Sequence, residues 1–222
     1  MIFKENTALL IDLRLEGKTA VFFGGGRTAE RKVRKLLQQG ARIMVVSRSF
    51  TESLRELGKK GEIELVEADI DETPQVIPDC VTDADVVIAA TDSPRLNALV
   101  SQAARNEGAL VCAVDMPELS DFYFPAVAQE GSIRVGVCTD GKSPLMSRRL
   151  RERIEEAITK EDALQVELQH YARSLAKERV PASEQRRKIL YEIADDPEIN
   201  RLLLEDRLEE AKKLAREIVE RF

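Results

Sequence analysis

Residues Thr19 to Lys32 read TAVFFGGGRTAERK, and this stretch decides the fold. The short apolar run Ala20–Phe23 stops at three glycines. A helical pattern begins at once, with Ala29, Val33, Leu36 and Leu37 on one face. Strand, tight turn and helix is the expected order. In the G-x-G-x-x-A spacing of Gly24, Gly26 and Ala29, the first glycine lets the chain reverse and the second lets a pyrophosphate approach bare backbone. Ala29 lets helix and strand pack closely. The N–H groups that open a helix lack intrahelical partners and attract anions. Gly24, Gly25, Gly26, Arg27 and Thr28 are therefore the expected cradle of a dinucleotide.

The flanking sequence supplies the context such a motif needs. A second strand, Arg42–Val46, follows Gly40 at the distance of a βαβ unit. Ser47 and Arg48 then occupy the place where an acidic residue usually accepts hydrogen bonds from the adenosine ribose of NAD. An Arg there favours the 2′-phosphate of NADP, whereas a hydroxyl also serves a ribose, so these residues leave NAD and NADP both open. A helix over Thr51–Lys59, a third strand at Ile63–Val66 and an acidic, Pro-containing turn through Asp69, Asp71, Thr73 and Pro74 come next.

Ala84–Ala90, ADVVIAA, reads as a buried strand ending in Thr91-Asp92-Ser93-Pro94. Ser93 as N-cap and Pro94 at the first helical position start a helix through Arg105. Ligands of open α/β sheets sit beyond the carboxyl ends of the strands, which brings Thr91 and Asp92 to the cofactor opposite the glycine loop. Asn97, one turn on, either helps there or only caps. A fifth strand, Leu110–Val114, carries Asp115 to the same edge, where it is either a functional carboxylate or a turn-forming Asp before Met116-Pro117.

From Phe122 the pattern changes. FYFPAVAQEGSIRVGV holds two alternating apolar segments joined by Gln129–Ser132, a β-hairpin signal that adds antiparallel strands to this end of the sheet. A polar loop, Cys138–Pro144, opens a helix, and Lys142, Arg148, Arg149, Arg151 and Arg153 lie within this stretch. That cluster suits a polyanionic ligand, while Glu152, Glu155 and Glu156 at helical spacing offer surface pairing. Beyond Lys160 the chain is charged and helical. Its stripes Leu164-Leu168-Tyr171-Leu175 and Leu208-Ala211-Leu214-Ala215-Ile218 point to a small bundle or an oligomer contact, with starts or breaks at Ser183 and Pro197.

The fold class is thus α/β, a Rossmann-type parallel sheet with an added hairpin and helix region and a helical C-terminal domain. A net charge of −6 gives no global basic field for nucleic acid, and no apolar run approaches a membrane span. The start MIFKENTALLIDL carries acidic residues and is unlike a secretory signal, so a cytoplasmic protein is expected. Ala8–Leu15 within it is expected to lie against the edge of the sheet. Cys80, Cys112 and Cys138 show no C-x-x-C spacing, and His170 is the single histidine, so no metal ligand set is predicted.

Taken in order, the motifs resemble those of the precorrin-2 dehydrogenase family, which includes the dehydrogenase and ferrochelatase modules of siroheme synthases. They are Val21–Gly26 followed by Ala29-Glu30-Arg31-Lys32, then Ala89-Ala90-Thr91-Asp92, Val114-Asp115-Met116-Pro117, Phe124-Pro125-Ala126 and Gly141-Lys142-Ser143-Pro144. The likeness covers about residues 7 to 158. It implies oxidation of precorrin-2 to sirohydrochlorin with NAD as hydride acceptor on a homodimer, and insertion of Fe²⁺ or Co²⁺ in some members. Asp115 falls on the family's essential aspartate. The resemblance makes Lys142, Ser143 and Arg149 candidates for substrate carboxylates. Thr139 stands only loosely for a family serine, because Cys138-Thr139-Asp140-Gly141 replaces Ser-Ser-Gly-Gly. The expected segments are 1–115 for NAD(P), 116–158 for dimerisation and substrate, and 159–222, which the likeness does not cover, as the helical domain. A different class, an NAD(H) sensor or scaffold, predicts cofactor binding without turnover; a dehydrogenase for another polycarboxylate also fits the basic helix.

Overall fold

The first strand, β1 (Thr19–Phe23), is buried on both faces, which explains its unbroken apolar character. A computed structural model describes residues 9–222. Ala20 and Phe22 pack on one side with Val33 and Leu36 of α1 (Arg27–Leu37) and Leu54 and Leu57 of α2 (Glu52–Lys59). Val21 and Phe23 pack on the other, with Ile77 and Val81 of α3 (Ile77–Val81) and Val100 and Ala104 of α4 (Pro94–Asn106). The sheet between these layers is parallel throughout, in the order β3-β2-β1-β4-β5. Its other strands are β2 (Arg42–Ser47), β3 (Glu64–Glu67), β4 (Val86–Ala89) and β5 (Leu110–Ala113). The strand order reverses between β1 and β4, and ligands of such sheets bind at that reversal.

Ser93 caps its helix as expected, accepting from Leu96 N–H, and Thr51, expected inside its helix, is instead the N-cap and accepts from Leu54 N–H. The connection between β3 and β4 holds more structure than its residues announce. The turn after Asp71 continues into a 3-10 turn, Pro74–Val76, and the short α3, which supply the crossover from β3 to β4. The leading apolar segment also behaves differently. Only Leu15 packs against the core, while Leu9, Leu10, Ile11 and Leu13 are exposed. Ala8 lies outside the described residues.

The chain divides into two compact units at Phe124 and Pro125. In the second, β6 (Ala126–Glu130) and β7 (Ile133–Val137) form a two-stranded antiparallel sheet of their own rather than an extension of the parallel one. The reason lies on the outer edge of β5. Val111 N–H donates to the Asp121 carboxylate at 2.9 Å, and Val111 C=O accepts from Asp121 N–H at 2.8 Å. Ala113 N–H donates to Ser120 Oγ at 3.0 Å, and that hydroxyl lies 3.1 Å from Ala113 C=O. The edge groups a sixth strand would need are occupied by a returning loop.

The hairpin packs with α5 (Pro144–Ala157). After it come α6 (Lys160–Arg179), α7 (Ser183–Asp195), α8 (Pro197–Leu204) and α9 (Leu208–Glu220). These four bury Leu168, Ala172, Ala176, Ile189, Ile193, Ile199, Leu203, Ala215 and Ile218 in one core. The small alanines on α6 and α9 let those two helices approach closely.

Candidate functional site

At the carboxyl end of β1 the three glycines answer to three different surroundings. Gly24 has φ +111°, donates its N–H to Val46 C=O at 2.9 Å, and sits so close to β4's end that a Cβ would lie 2.4 Å from Ala90 O. A Cβ on Gly25 would meet Ser49 O at 2.2 Å. Gly26 is different: a Cβ there would meet nothing within 4 Å among the described residues. It is also the N-cap of α1 and brings no side-chain cap, so the helix's opening N–H groups have no capping side chain. Gly24 and Gly25 are required by the protein's own packing, and only Gly26 is left open for a ligand. The bare backbone and uncapped helix start fit a dinucleotide diphosphate. Arg27 and Thr28 form the exposed first turn beside it.

These glycines line a cleft of about 430 Å³ with residues after β2, β3 and β4. Ser47 and Arg48 are on its wall. The Ser47 hydroxyl is buried and accepts from Ser49 N–H at 3.4 Å, while Arg48 is exposed. Ala68, Asp69, Ile70 and Asp71 complete that side. The sequence marked the last of these only as an acidic turn, because their approach to the cleft depends on β3 pairing beside β2. Asp69 Oδ1 accepts from Asp71 N–H at 3.1 Å, which orders this wall.

Thr91 and Asp92 line the opposite side. Asn97 is buried and grips Thr91 on both backbone groups, holding this loop from within the helix. Its Oδ1 accepts from Thr91 N–H at 3.1 Å and from the Thr91 hydroxyl at 2.7 Å, and its amide donates to Thr91 C=O at 3.2 Å. Removing a buried partner strands polar groups at a cost of about 1–3 kcal/mol. Asn97→Ala is expected to lower unfolding stability in urea by about that amount and to weaken dinucleotide binding, read by titration of the folded protein. Unchanged stability and affinity would show that the loop holds itself.

Asp115 stands one strand further along the same edge, after β5, and does not line the cleft. It is exposed, has φ +60°, and sits inside a turn closed by Met116 N–H on Ala113 C=O at 3.3 Å. No hydrogen bond or ion pair holds its carboxylate among the described residues. Below it, burial raises the pKa of the Cys112 thiol.

A family model described as "Putative NAD(P)-binding" matches residues 11–126. The precorrin-2 dehydrogenase of Methanosarcina barkeri is 33% identical over 193 residues, covering 86% of this chain and 85% of that protein. The chain belongs to the precorrin-2 dehydrogenase family. A siroheme synthase of Pseudomonas aeruginosa is 36% identical over 203 residues, which is 91% of this chain but 42% of the synthase. Among solved structures, SirC, a precorrin-2 dehydrogenase, superposes with a TM-score of 0.75 over 95% of this chain and 100% of its own, at 22% identity. That likeness is one of fold.

The remaining family-derived candidates belong to the second unit, at the start of α5. Thr139 and Ser143 grip each other. Ser143 N–H donates to Thr139 Oγ1 at 3.2 Å, and the Thr139 hydroxyl lies within reach of Ser143 C=O and Ser147 Oγ. Ser143 Oγ caps the helix by accepting from Met146 N–H at 3.2 Å. Both hydroxyls therefore shape the loop. Lys142 and Arg149 are exposed and make no ion pair among the described residues. Arg148 and Arg151, by contrast, pair with Glu152 and Glu155. The basic cluster thus divides into surface pairs and cations left open to a ligand.

Proposed function

We propose that this chain oxidises precorrin-2 to sirohydrochlorin with NAD, in siroheme biosynthesis. The observation that carries the reading is a sheet edge with a dinucleotide cleft and, one strand over, an unpaired aspartate, in a chain 33% identical to a precorrin-2 dehydrogenase. The bound nicotinamide supplies hydride acceptance. The rest falls to the chain's own groups. The opening N–H groups of α1 hold the diphosphate, with the bare backbone of Gly24, Gly25 and Gly26 and the first turn at Arg27 and Thr28 around it. Ser47 and Arg48 serve the adenosine end, and Thr91 and Asp92, braced by Asn97, orient the nicotinamide end. Asp115 takes the proton released as hydride leaves the substrate. Lys142, Ser143 and Arg149, with Thr139 shaping their loop, receive substrate carboxylates.

NAD rather than NADP is favoured by charge. Among the described residues the cleft wall carries Asp69, Asp71 and Asp92 against the single cation Arg48, an unfavourable setting for an additional 2′-phosphate. A homodimer is supported by α5, which buries no side chain fully and leaves Leu145 and Met146 exposed. Functionally we divide the chain into a nucleotide segment 1–115, a dimer and substrate segment 116–158 and a helical segment 159–222. We place it in the cytoplasm. Insertion of Fe²⁺ or Co²⁺ into the product, with Asp115 holding a pyrrole nitrogen, is a second step of the same proposal, the metal entering as substrate.

The test is anaerobic incubation of the protein with precorrin-2 and NAD or NADP, following nicotinamide reduction and the appearance of sirohydrochlorin. Turnover with NAD preferred over NADP is the expected result. Binding of cofactor with no turnover would overturn the dehydrogenase reading, and Fe²⁺ or Co²⁺ added to the product tests insertion.

A further inference from the structure

Lys32 is a cation in an unusual place. It lies on α1 between Ala29, Val33 and Leu36, the three residues that bury this helix against the sheet. Its ammonium sits 4.1 Å from the centroid of the Phe124 ring, which itself packs on Phe122 at 5.5 Å. Phe122, Phe124 and Cys112 belong to one apolar cluster on the α1 side of the sheet. The other cations of the helix are treated differently. Arg34 pairs with Glu30 and donates to Ser53, and Arg31 and Lys35 are exposed. Lys32 is half-buried and has no ion pair among the described residues.

The titratable groups that act on its charge are the Cys112 thiol, Arg31 and Lys35 of its own helix and, most weakly, the Asp115 carboxylate. Desolvation by burial lowers its pKa, and Asp115 and Cys112 act in the opposite sense. A cation that is already stripped of much of its water and oriented by a ring costs less to bring onto an anion than a mobile surface lysine does. The ring holds the charge in register without neutralising it.

We infer that Lys32 is a substrate-binding residue, the fixed cation that receives one substrate carboxylate beside Asp115. This rests on the reading of a polycarboxylate substrate oxidised at this edge, and it gives the first unit its own anchor for that substrate. The ring of Phe124 presents the ammonium, and Asp115, at the end of β5, is left free for the proton.

The test compares Lys32→Met and Lys32→Arg with wild type in anaerobic turnover of precorrin-2, with NAD dissociation and thermal unfolding measured alongside. Lys32→Met keeps the length and apolar body of the side chain. It is expected to raise KM for precorrin-2 by about 10- to 100-fold, the range for losing a hydrogen bond to a charged group. NAD affinity and melting temperature stay at wild-type values, and Lys32→Arg recovers most of the loss. A purely structural lysine would lower the melting temperature and leave KM alone, which overturns the inference. So does a loss confined to NAD affinity. Uroporphyrin binding, read by quenching of its fluorescence, serves as a second probe, weakened in Lys32→Met if the inference holds. A wild type that neither turns over precorrin-2 nor binds uroporphyrin overturns the inference together with the proposed function. Turnover that Lys32→Met leaves untouched overturns the inference alone.

Discussion

Asp115→Asn is expected to lower kcat for precorrin-2 oxidation by about 10²- to 10⁴-fold, the usual contribution of a positioned proton acceptor. The substitution is chosen for its backbone. Asp115 has φ +60°, a left-handed conformation that Asn tolerates as well as Asp does, whereas Ala or a β-branched residue would add strain. Asn also keeps size and polarity, so what disappears is the ability to take a proton. Because Asp115 does not line the dinucleotide cleft, NAD affinity is expected to stay at the wild-type value. Rates for both proteins, measured at saturating NAD and precorrin-2, decide the matter. A variant within about threefold of wild type, too small a change for a lost catalytic group, would return Asp115 to the role of a turn residue.

The second large effect separates two glycines that look alike in the sequence. In Gly24→Ala, the new methyl would lie 2.4 Å from Ala90 O and 2.8 Å from Ala90 C, both backbone atoms, on a residue with φ +111°. Backbone strain of about 1–3 kcal/mol and overpacking of about 1–3 kcal/mol together consume much of the roughly 5–15 kcal/mol that holds a domain folded. Gly24→Ala is expected to be poorly soluble or to melt far below wild type. Gly26→Ala adds its methyl where nothing among the described residues lies within 4 Å, on a residue with φ −82°. It should fold with close to wild-type stability, since the restriction Ala places on the unfolded chain is offset by Ala being a poorer N-cap than Gly. Its methyl fills the space in front of the helix start, and NAD affinity is expected to fall about 10- to 100-fold, or roughly 1.4–2.8 kcal/mol. Calorimetry of NAD binding alongside thermal melts measures both halves. A Gly26→Ala protein that binds NAD like wild type would remove the diphosphate from this loop, and a fully stable Gly24→Ala would contradict the packing of the loop on β4.

The legible parts of the molecule are those decided within a few residues. The apolar run before Gly24 and the helical period after it, Ser93-Pro94 and Ser143-Pro144 at two helix starts, and the alternation around Gly131 each contain their own physical signal: a strand's burial, a cap, a turn. Thr91 and Asp92 were placed by one topological rule acting on those elements. Asn97 was visible, yet its grip on Thr91 was not, because an asparagine one turn into a helix has the same local sequence whether it faces solvent or folds back.

By itself the sequence determined a parallel nucleotide-binding unit followed by a hairpin and a helical tail, because strand period, helix period, capping and glycine turns are short-range properties. It also determined the stock of charged groups from which a site could be drawn. Only the tertiary structure decided that Ser120 and Asp121 occupy the edge of β5, so that the hairpin forms a separate sheet. It alone decided that Asp69 and Asp71 wall the cleft, and that Lys32 is drawn over Phe124 instead of into solvent. Each of these is a pairing of groups far apart in the chain or a choice between water and a neighbour, and such choices are made only when the elements pack.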